Sequence, residues 1–183
     1  MVVLRDHDGE LQTYLLHRHA RMVFAASMVV FPGGGVDPVD DQTDDPILAC
    51  ARRETLEEAG VELARADLRP WAHWITPVFE PRRFDTHFFV AELPAGQQAV
   101  DISGETDRAA WTAPADALLA AQAGEIALMP PTLSILLELA EAETLTAVRE
   151  LAADRVIETV LPELVQDGDG DGGWRFRYPS RSR

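Results

Sequence analysis

The sequence contains no lysine and a single cysteine, and these two shortages limit the chemistry open to it. All sixteen basic residues of the 183-residue chain are arginine, against 31 Asp and Glu, so the formal net charge is −15. This acid excess repels phosphate backbones and no basic block offsets it, so we expect no nucleic-acid polymer as a partner. Cys50 alone can form neither an intrachain disulfide nor a thiolate metal cluster. We therefore expect any metal chemistry to rest on oxygen ligands.

Long hydrophobic runs are also missing. The longest are far shorter than the ~20 residues that a membrane-spanning helix requires, so we expect no membrane partner and a cytoplasmic location. The start, MVVLRD, lacks the features of a signal peptide and predicts a strand from the first residues, which is consistent with a longer natural N-terminus. Apolar residues nevertheless make up 46% of the chain, which is enough to bury a core.

Strand and helix patterns alternate along the chain. They predict strands over 2–4, 11–17, 28–31, 71–76, 86–93 and 109–111, and helices over 46–59, 114–123, 132–142 and 145–154. The segments 156–165 and 174–178 predict a closing hairpin. We expect a single α/β domain over residues 1–183, an α/β/α sandwich around a mixed sheet. Residues 1–128 would form its core, and 129–183 a C-terminal helical extension and hairpin.

The helix over 46–59 has the clearest boundaries. Asp45 is a good N-cap, Pro46 suits the first helical position, and Gly60 fits a C-cap. These signals act locally, so we expect both ends of the helix to be well defined.

This helix carries three carboxylates on one face. Glu54, Glu57 and Glu58 stand at positions i, i+3 and i+4, where like charges destabilise a helix by about 0.2–0.5 kcal/mol per pair. A hard cation such as Mg²⁺ or Mn²⁺ would offset that cost. An arbitrary acidic run of this kind is more often a solvated helix face. The glycine-rich turn at 33–35 favours the metal interpretation, because consecutive glycines allow a tight turn or a close approach.

With that turn included, the segment resembles the Nudix box, a loop–helix–loop metal site with the pattern G-x5-E-x7-R-E-U-x-E-E-x-G-U. Gly34, five residues and Asp40 resemble the first part, with Asp in place of Glu. Residues 53–61 resemble the second part, with Thr55 at a position that is usually aliphatic. Twelve residues instead of seven separate Asp40 from the box arginine, and Asp45 lies at the family's spacing. Either aspartate could take the place of the upstream acid.

The resemblance extends over roughly residues 10–115. The segments that carry it, besides the expanded box, are Leu15-Leu16-His17-Arg18, Phe31-Pro32-Gly33-Gly34, Trp74-Ile75-Thr76-Pro77 and Arg83-Phe84-Asp85-Thr86-His87-Phe88-Phe89. Together they resemble the peroxisomal-type acyl-coenzyme A diphosphatase branch of the Nudix family. This resemblance implies a Nudix-type fold and cleavage of coenzyme A or acyl-coenzyme A to 3′-phospho-AMP and phosphopantetheine.

The resemblance also implies roles for individual residues. Glu54, Glu57 and Glu58 would bind Mg²⁺ or Mn²⁺, and a backbone carbonyl at Gly34 would be a further ligand. The general base would be Glu57 or Glu105, because many family members use a distant loop glutamate. A plain surface residue is an equally good interpretation of Glu105.

Further residues are predicted to bind the substrate. Arg82 and Arg83 carry guanidinium groups that match phosphate, and Arg18 could approach the diphosphate by resemblance. Both arginines of the pair could instead bind the flanking acids at 80 and 85. The aromatic residues that could stack on an adenine, or belong to the core, are Trp71, Trp74 and Phe84.

Two other functions stay open at this point. A Nudix box indicates the reaction and says little about the group attached to the diphosphate, so ADP-ribose, a dinucleotide or a nucleoside triphosphate is an alternative substrate. The fold could also serve as a non-catalytic nucleotide-sensing module, although all three helix glutamates are present. The Leu- and Ala-rich helices after Pro131 could form a homodimer face as readily as they could cover the sheet.

Overall fold

The computed structural model describes residues 1–18, 28–102, 104, 106–166 and 174–177. These residues form ten strands: β1 Val2–His7, β2 Glu10–Arg18, β3 Met28–Val30, β4 Arg69–Ile75, β5 Asp85–Glu92, β6 Thr106–Thr112, β7 Ala127–Leu128, β8 Thr159–Val160, β9 Glu163–Gln166 and β10 Trp174–Arg177. The α-helices are α1 Pro46–Ala59, α2 Pro114–Gln122, α3 Pro130–Ala142 and α4 Leu145–Ala153. Short 3₁₀ turns lie at Asp40–Gln42 and Arg65–Asp67. In the described part of the chain, no helix has the length and hydropathy to span a membrane.

Eight strands form one mixed sheet in the order β7-β3-β2-β1-β5-β4-β8, and β6 pairs with β2 outside that path. Three pairs are parallel, namely β1 with β5, β3 with β7 and β4 with β8. Strands β9 and β10 form a separate antiparallel pair, as the predicted closing hairpin requires. The prediction of a strand over 156–165 was only partly right, because Thr159–Val160 leaves the hairpin and joins β4.

Helices cover both faces of the sheet, which confirms the predicted α/β class. On one face, Ala59 at the end of α1 packs with the buried Val3, Leu16 and Phe89. On the other face, the core contains residues from α2, α3 and α4, namely Ala117, Ile135, Leu136, Leu139, Val148 and Ala152. The continuous apolar start of β1 follows from this arrangement, since a strand buried on both faces needs no polar alternation.

Helix α1 begins and ends where its caps predict. The Asp45 side chain accepts a hydrogen bond from the Leu48 amide at 3.2 Å, and Pro46 is the first helical residue. Gly60 ends the helix with φ of 66°, a left-handed conformation that favours glycine, and its amide donates to the Leu56 carbonyl at 3.0 Å.

Strand register gathers the predicted functional segments at one end of the sheet. Strands β1 and β5 run parallel with Val2 opposite Val90, so Asp85 lies about 16 Å beyond the start of β1. The amino group of Met1 donates to the carbonyl of Pro32, which places the glycine turn at this same end. The loop 76–84 between β4 and β5 opens there as well.

Candidate active site

The glycine turn at 33–35 lies directly against the acidic face of α1. The Gly33 amide donates to Glu58 Oε2 at 2.7 Å. A Cβ added to Gly34 would lie only 2.3–2.7 Å from the carboxylate atoms of Glu54, so a side chain there must displace that carboxylate. A Cβ added to Gly35 would have no neighbouring atom within 4 Å. Gly34 is therefore required for a close approach between turn and helix.

Arg53 donates hydrogen bonds to four oxygen-bearing groups around this contact. Its Nη1 donates to Glu54 Oε1 and to Glu57 Oε2, both at 2.9 Å. Its Nε and Nη2 donate to the carboxylate of Asp40, with the Nη2 bond at 2.8 Å, and Nη2 also donates to the Gly35 carbonyl at 3.0 Å. Hydrogen bonding to Asp40 raises the pKa of Arg53 well above its usual range and lowers that of Asp40. The pair is fully charged.

Asp40 is the upstream acid that meets the box arginine. Its side chain is only 3% exposed and contacts Arg53, and the amide of Asp37 donates to it at 2.9 Å. Asp45 instead caps α1 and lies 3.5 Å from Arg65. The five extra residues of the loop thus lie between Asp40 and Arg53 in the sequence, and Asp40 still contacts Arg53.

The three helix glutamates lie in different surroundings. Glu58 is 6% exposed, and this burial raises its pKa to about 7, against the lowering effects of the Gly33 amide and the positive charge of Arg18. The side chain of Glu54 is 16% exposed and that of Glu57 is 56% exposed. Exposure to water therefore increases along this face from Glu58 to Glu54 and then to Glu57.

Residues 1–130 match the family model described as NUDIX domain. This chain belongs to the Nudix family. Its Nudix helix is α1. Gly34 and Asp40 lie in the loop before this helix and Arg53 lies on it, and the loop is five residues longer than in the box pattern.

Similarity to individual Nudix proteins is moderate. A solved NUDIX hydrolase from Alicyclobacillus acidocaldarius superposes with a TM-score of 0.73 over 81% of this chain and 92% of that chain, at 26% identity. A Caenorhabditis elegans protein that carries a nudix hydrolase name is 27% identical over 70% of this chain and 56% of its own length. An acyl-coenzyme A diphosphatase of Xenopus laevis is 29% identical over 56% of this chain and 29% of its own length. The chain thus spans 56% and 29% of the length of these two curated relatives.

Thr55 departs from the usual aliphatic residue of the Nudix helix without leaving a polar group unpaired. It is fully buried, and its hydroxyl donates to the Ala51 carbonyl one turn earlier at 2.6 Å. A buried hydroxyl that is hydrogen-bonded in this way costs little.

Nudix hydrolases use divalent cations, and the donor set of this helix suits one. Glu54, Glu57, Glu58 and the Gly34 carbonyl all offer oxygen, the ligand atom that Mg²⁺ and Mn²⁺ prefer. Glu58 is a desolvated carboxylate whose ionised form needs a positive neighbour. Glu54 and Glu57 currently share Arg53 Nη1, so a cation would have to compete with this guanidinium.

The predicted substrate residues divide by exposure. Phe84 is 39% exposed on the loop 76–84, whereas Trp71 and Trp74 are 1% and 6% exposed and belong to the core. Arg82 and Arg83 are exposed on the same loop. Of the three aromatic residues considered for stacking on an adenine, only Phe84 is accessible to a ligand.

The arginine pair does not bind its flanking acids. Arg83 Nε donates to the Thr76 carbonyl at 3.1 Å, and among the described residues neither arginine forms an ion pair with Glu80 or Asp85. Asp85 instead contacts two histidines of the sheet, a grouping that the sequence reasoning missed. The sequence signal for this grouping is the spacing of Asp85 and His87 two residues apart in β5, which places both side chains on one face of the strand.

One predicted catalytic residue falls outside this description. Glu105 lies outside the described residues, so its role as an alternative base stays a prediction. Glu57 is the candidate base whose contacts the structure gives.

Proposed function

We propose that this Nudix domain hydrolyses the diphosphate linkage of a nucleotide derivative, with coenzyme A or acyl-coenzyme A as its substrate. The observation that carries the reaction class is the contact of Glu54 and Glu58 with the glycine turn, fixed by the Arg53–Asp40 pair. The choice of substrate is supported by the exposed basic and aromatic loop 76–84 and by the similarity to the acyl-coenzyme A diphosphatase of Xenopus laevis.

Mg²⁺ or Mn²⁺, when bound, supplies positive charge that offsets the charges of the diphosphate and of the departing phosphate. Glu54, Glu57, Glu58 and the carbonyl of Gly34 would hold this ion. The cation would also offset part of the net charge of −15, which otherwise repels an anionic substrate.

The residues of the chain supply proton transfer and positioning. A water attacks one phosphorus, the bond from that phosphorus to the bridging oxygen breaks, and the proton of the water passes to a carboxylate. Glu57 is suited to accept it, because its side chain is 56% exposed and Arg53 Nη1 holds Oε2 at 2.9 Å. Glu105 is the alternative acceptor.

Recognition of coenzyme A would use the loop 76–84. Phe84 would stack on the adenine, and Arg82 and Arg83 would bind the 3′-phosphate. Two backbone contacts of Thr76 hold this loop at its base, since the Thr76 amide donates to the Phe84 carbonyl at 2.9 Å and its carbonyl accepts from Arg83 at 3.1 Å. Arg18, whose charge acts on Glu58, would approach the diphosphate.

A substrate panel tests the proposal directly. The purified chain is incubated with Mg²⁺ or Mn²⁺ and each of coenzyme A, an acyl-coenzyme A, ADP-ribose, a dinucleoside polyphosphate and a nucleoside triphosphate, and products are identified by mass. We expect 3′-phospho-AMP with phosphopantetheine or its acyl form. AMP with ribose phosphate as the main products would replace coenzyme A by ADP-ribose. No product from any diphosphate would favour a nucleotide-sensing module.

The role of the 3′-phosphate can be tested separately with Arg82→Ala. Because a charge-assisted hydrogen bond is worth about 1.5–3 kcal/mol, KM for coenzyme A should rise about tenfold or more. KM for dephospho-coenzyme A, which lacks that phosphate, should not change. Arg177→Ala is the matched control, because this arginine is 64% exposed and pairs with Glu163 on the separate hairpin. Equal effects of Arg82→Ala on both substrates would contradict the assignment.

A further inference from the structure

A second cluster of metal-binding side chains lies outside the Nudix helix. In the described part of the chain, the one trio of His, Cys, Asp or Glu residues whose donor atoms all lie within 4.8 Å of one another is His73, Asp85 and His87. Strands β4 and β5 pair antiparallel with His73 directly opposite His87, and Asp85 lies two residues from His87. Side chains on alternate residues of a strand share a face, so all three groups project from the same side of the sheet.

The two imidazoles converge on one carboxylate oxygen. Asp85 Oδ1 lies 2.5 Å from His73 Nε2 and 3.5 Å from His87 Nε2. The rings stack with centroids 4.0 Å apart and planes 14° from parallel. Ligand atoms around a tetrahedral ion with bonds of about 2.0 Å lie about 3.3 Å apart. Opening the His73–Asp85 contact by less than 1 Å therefore brings both separations from Asp85 close to this value. The two stacked rings would also have to tilt, so that both nitrogen lone pairs meet at the ion.

His73 is also oriented as metal-bound histidines commonly are. Its Nδ1 lies 2.8 Å from the Oγ1 of Thr159 in β8. A partner on one ring nitrogen fixes the tautomer and directs the lone pair of the other nitrogen toward a metal. In the structure Nε2–H donates to the Asp85 carboxylate, so Nδ1 accepts from the Thr159 hydroxyl. Metal binding at Nε2 would move the proton to Nδ1, where Thr159 Oγ1 can accept it.

We propose that His73, Asp85 and His87 form a site for a divalent transition-metal ion of the Zn²⁺ class, separate from the oxygen-donor site of the Nudix helix. Two nitrogens and one carboxylate oxygen suit Zn²⁺ or Co²⁺ and do not suit Mg²⁺. The ion joins β4 to β5 at the base of the loop 76–84, and Thr159 connects the site to β8. Such a site would add nitrogen ligands to the oxygen ligands expected from the sequence, which gives no sign that two histidines meet across a hairpin.

Binding of Co²⁺ or Zn²⁺ in the presence of a large excess of Mg²⁺ tests this site, because Mg²⁺ would then compete for the carboxylates of the Nudix helix but not for the histidines. Calorimetry should give one site per chain, and Co²⁺ should show the visible absorption of a nitrogen-containing site. Asp85→Asn and His87→Gln should each weaken binding about 10- to 100-fold or more, and Thr159→Val about tenfold. Zn²⁺ should raise the melting temperature of the unaltered chain but not of Asp85→Asn.

Controls separate this site from unspecific histidine binding. His7→Gln removes a histidine whose side chain is 58% exposed beside Asp8, so it should leave Zn²⁺ affinity unchanged. Because the side chain of Asp85 is 63% exposed, the Asp85→Asn variant should still fold. Wild-type affinity in both Asp85→Asn and His87→Gln would overturn the proposal, as would an equal loss in His7→Gln. Neither result would affect the diphosphatase proposal, which the substrate panel tests on its own.

Discussion

At the scale of single residues, one guanidinium group arranges the acidic side chains of the site. Arg53 donates to Asp40, Glu54 and Glu57 and to the carbonyl of Gly35. Its partner Asp40 is almost fully buried, so the pair is shielded from solvent on one side. Removing one member of a buried ion pair is costly, because the charge of the other member is then left buried without a partner.

Removing the charge of Asp40 should therefore destabilise the chain. We expect Asp40→Asn to lower the free energy of unfolding by about 1–3 kcal/mol, since Arg53 keeps only its more exposed partners. Asp45→Asn is the matched control, because asparagine caps a helix as well as aspartate, and its effect should stay below about 0.5 kcal/mol. Denaturant unfolding of both variants measures the difference. A larger loss for Asp45→Asn would reverse the assignment of the upstream acid.

The close approach of Gly34 to Glu54 gives a second residue-scale prediction. Gly34→Ala places a methyl group where the carboxylate of Glu54 lies, so it should misplace this ligand and lower turnover about 100-fold. Gly35→Ala meets nothing within 4 Å and should keep near-normal turnover. Steady-state kinetics at saturating Mg²⁺ compare the two. Equal turnover in both variants would show that the contact has no catalytic importance.

Residue-level predictions succeeded or failed according to how local their signal was. Three glutamates at helical spacing share a face whatever the rest of the chain does. The choice between Asp40 and Asp45 could not be made by counting, because a turn at 40–42 decides which carboxylate meets Arg53. The His73–His87 pair depended on the register of two strands, which no local pattern fixes.

At the scale of elements, helices were predicted better than strands. The α1 boundaries agree with the prediction at both ends because Asp45, Pro46 and Gly60 act within the helix itself. The strand predicted over 109–111 extends over Thr106–Thr112, since its length is set by pairing with β2. Strand β8 was assigned to the hairpin because its parallel pairing with β4 has no sequence signature.

The C-cap of α1 provides an element-scale prediction. At Gly60, φ is 66°, and a non-glycine residue in this conformation costs about 1–2 kcal/mol. Gly60→Ala should lower the free energy of unfolding by that amount, and Gly60→Asn by less, because asparagine tolerates the left-handed region. The atoms nearest to an added Cβ, at 3.7 Å and 3.8 Å, leave space for it, so the cost comes from the backbone. Denaturant unfolding of both variants measures it, and an equal loss for Asn and Ala would contradict this reason.

At the scale of the whole molecule, an acidic chain is proposed to act on an anionic substrate. Under this proposal, the net charge of −15 makes a divalent cation necessary for substrate binding as well as for chemistry. The mixed sheet makes this possible, because parallel pairing of β1 and β5 brings the glycine turn, the Nudix helix and the loop 76–84 to one end. Composition predicted the need for a cation, while its location came from the box and the register.

The measurement that tests this account most directly is Mg²⁺-dependent turnover of coenzyme A by Glu57→Gln and Glu58→Gln, with Glu62→Gln as the control. Glutamine keeps the shape of each side chain and can still accept the hydrogen bond from Gly33, so the variants should fold normally. Both should lose turnover by about 100-fold or more, because each removes a charged ligand or base. The exposed Glu62 just beyond the helix should be replaceable without loss. Near-normal turnover in both helix variants would contradict the claim that these carboxylates carry the reaction.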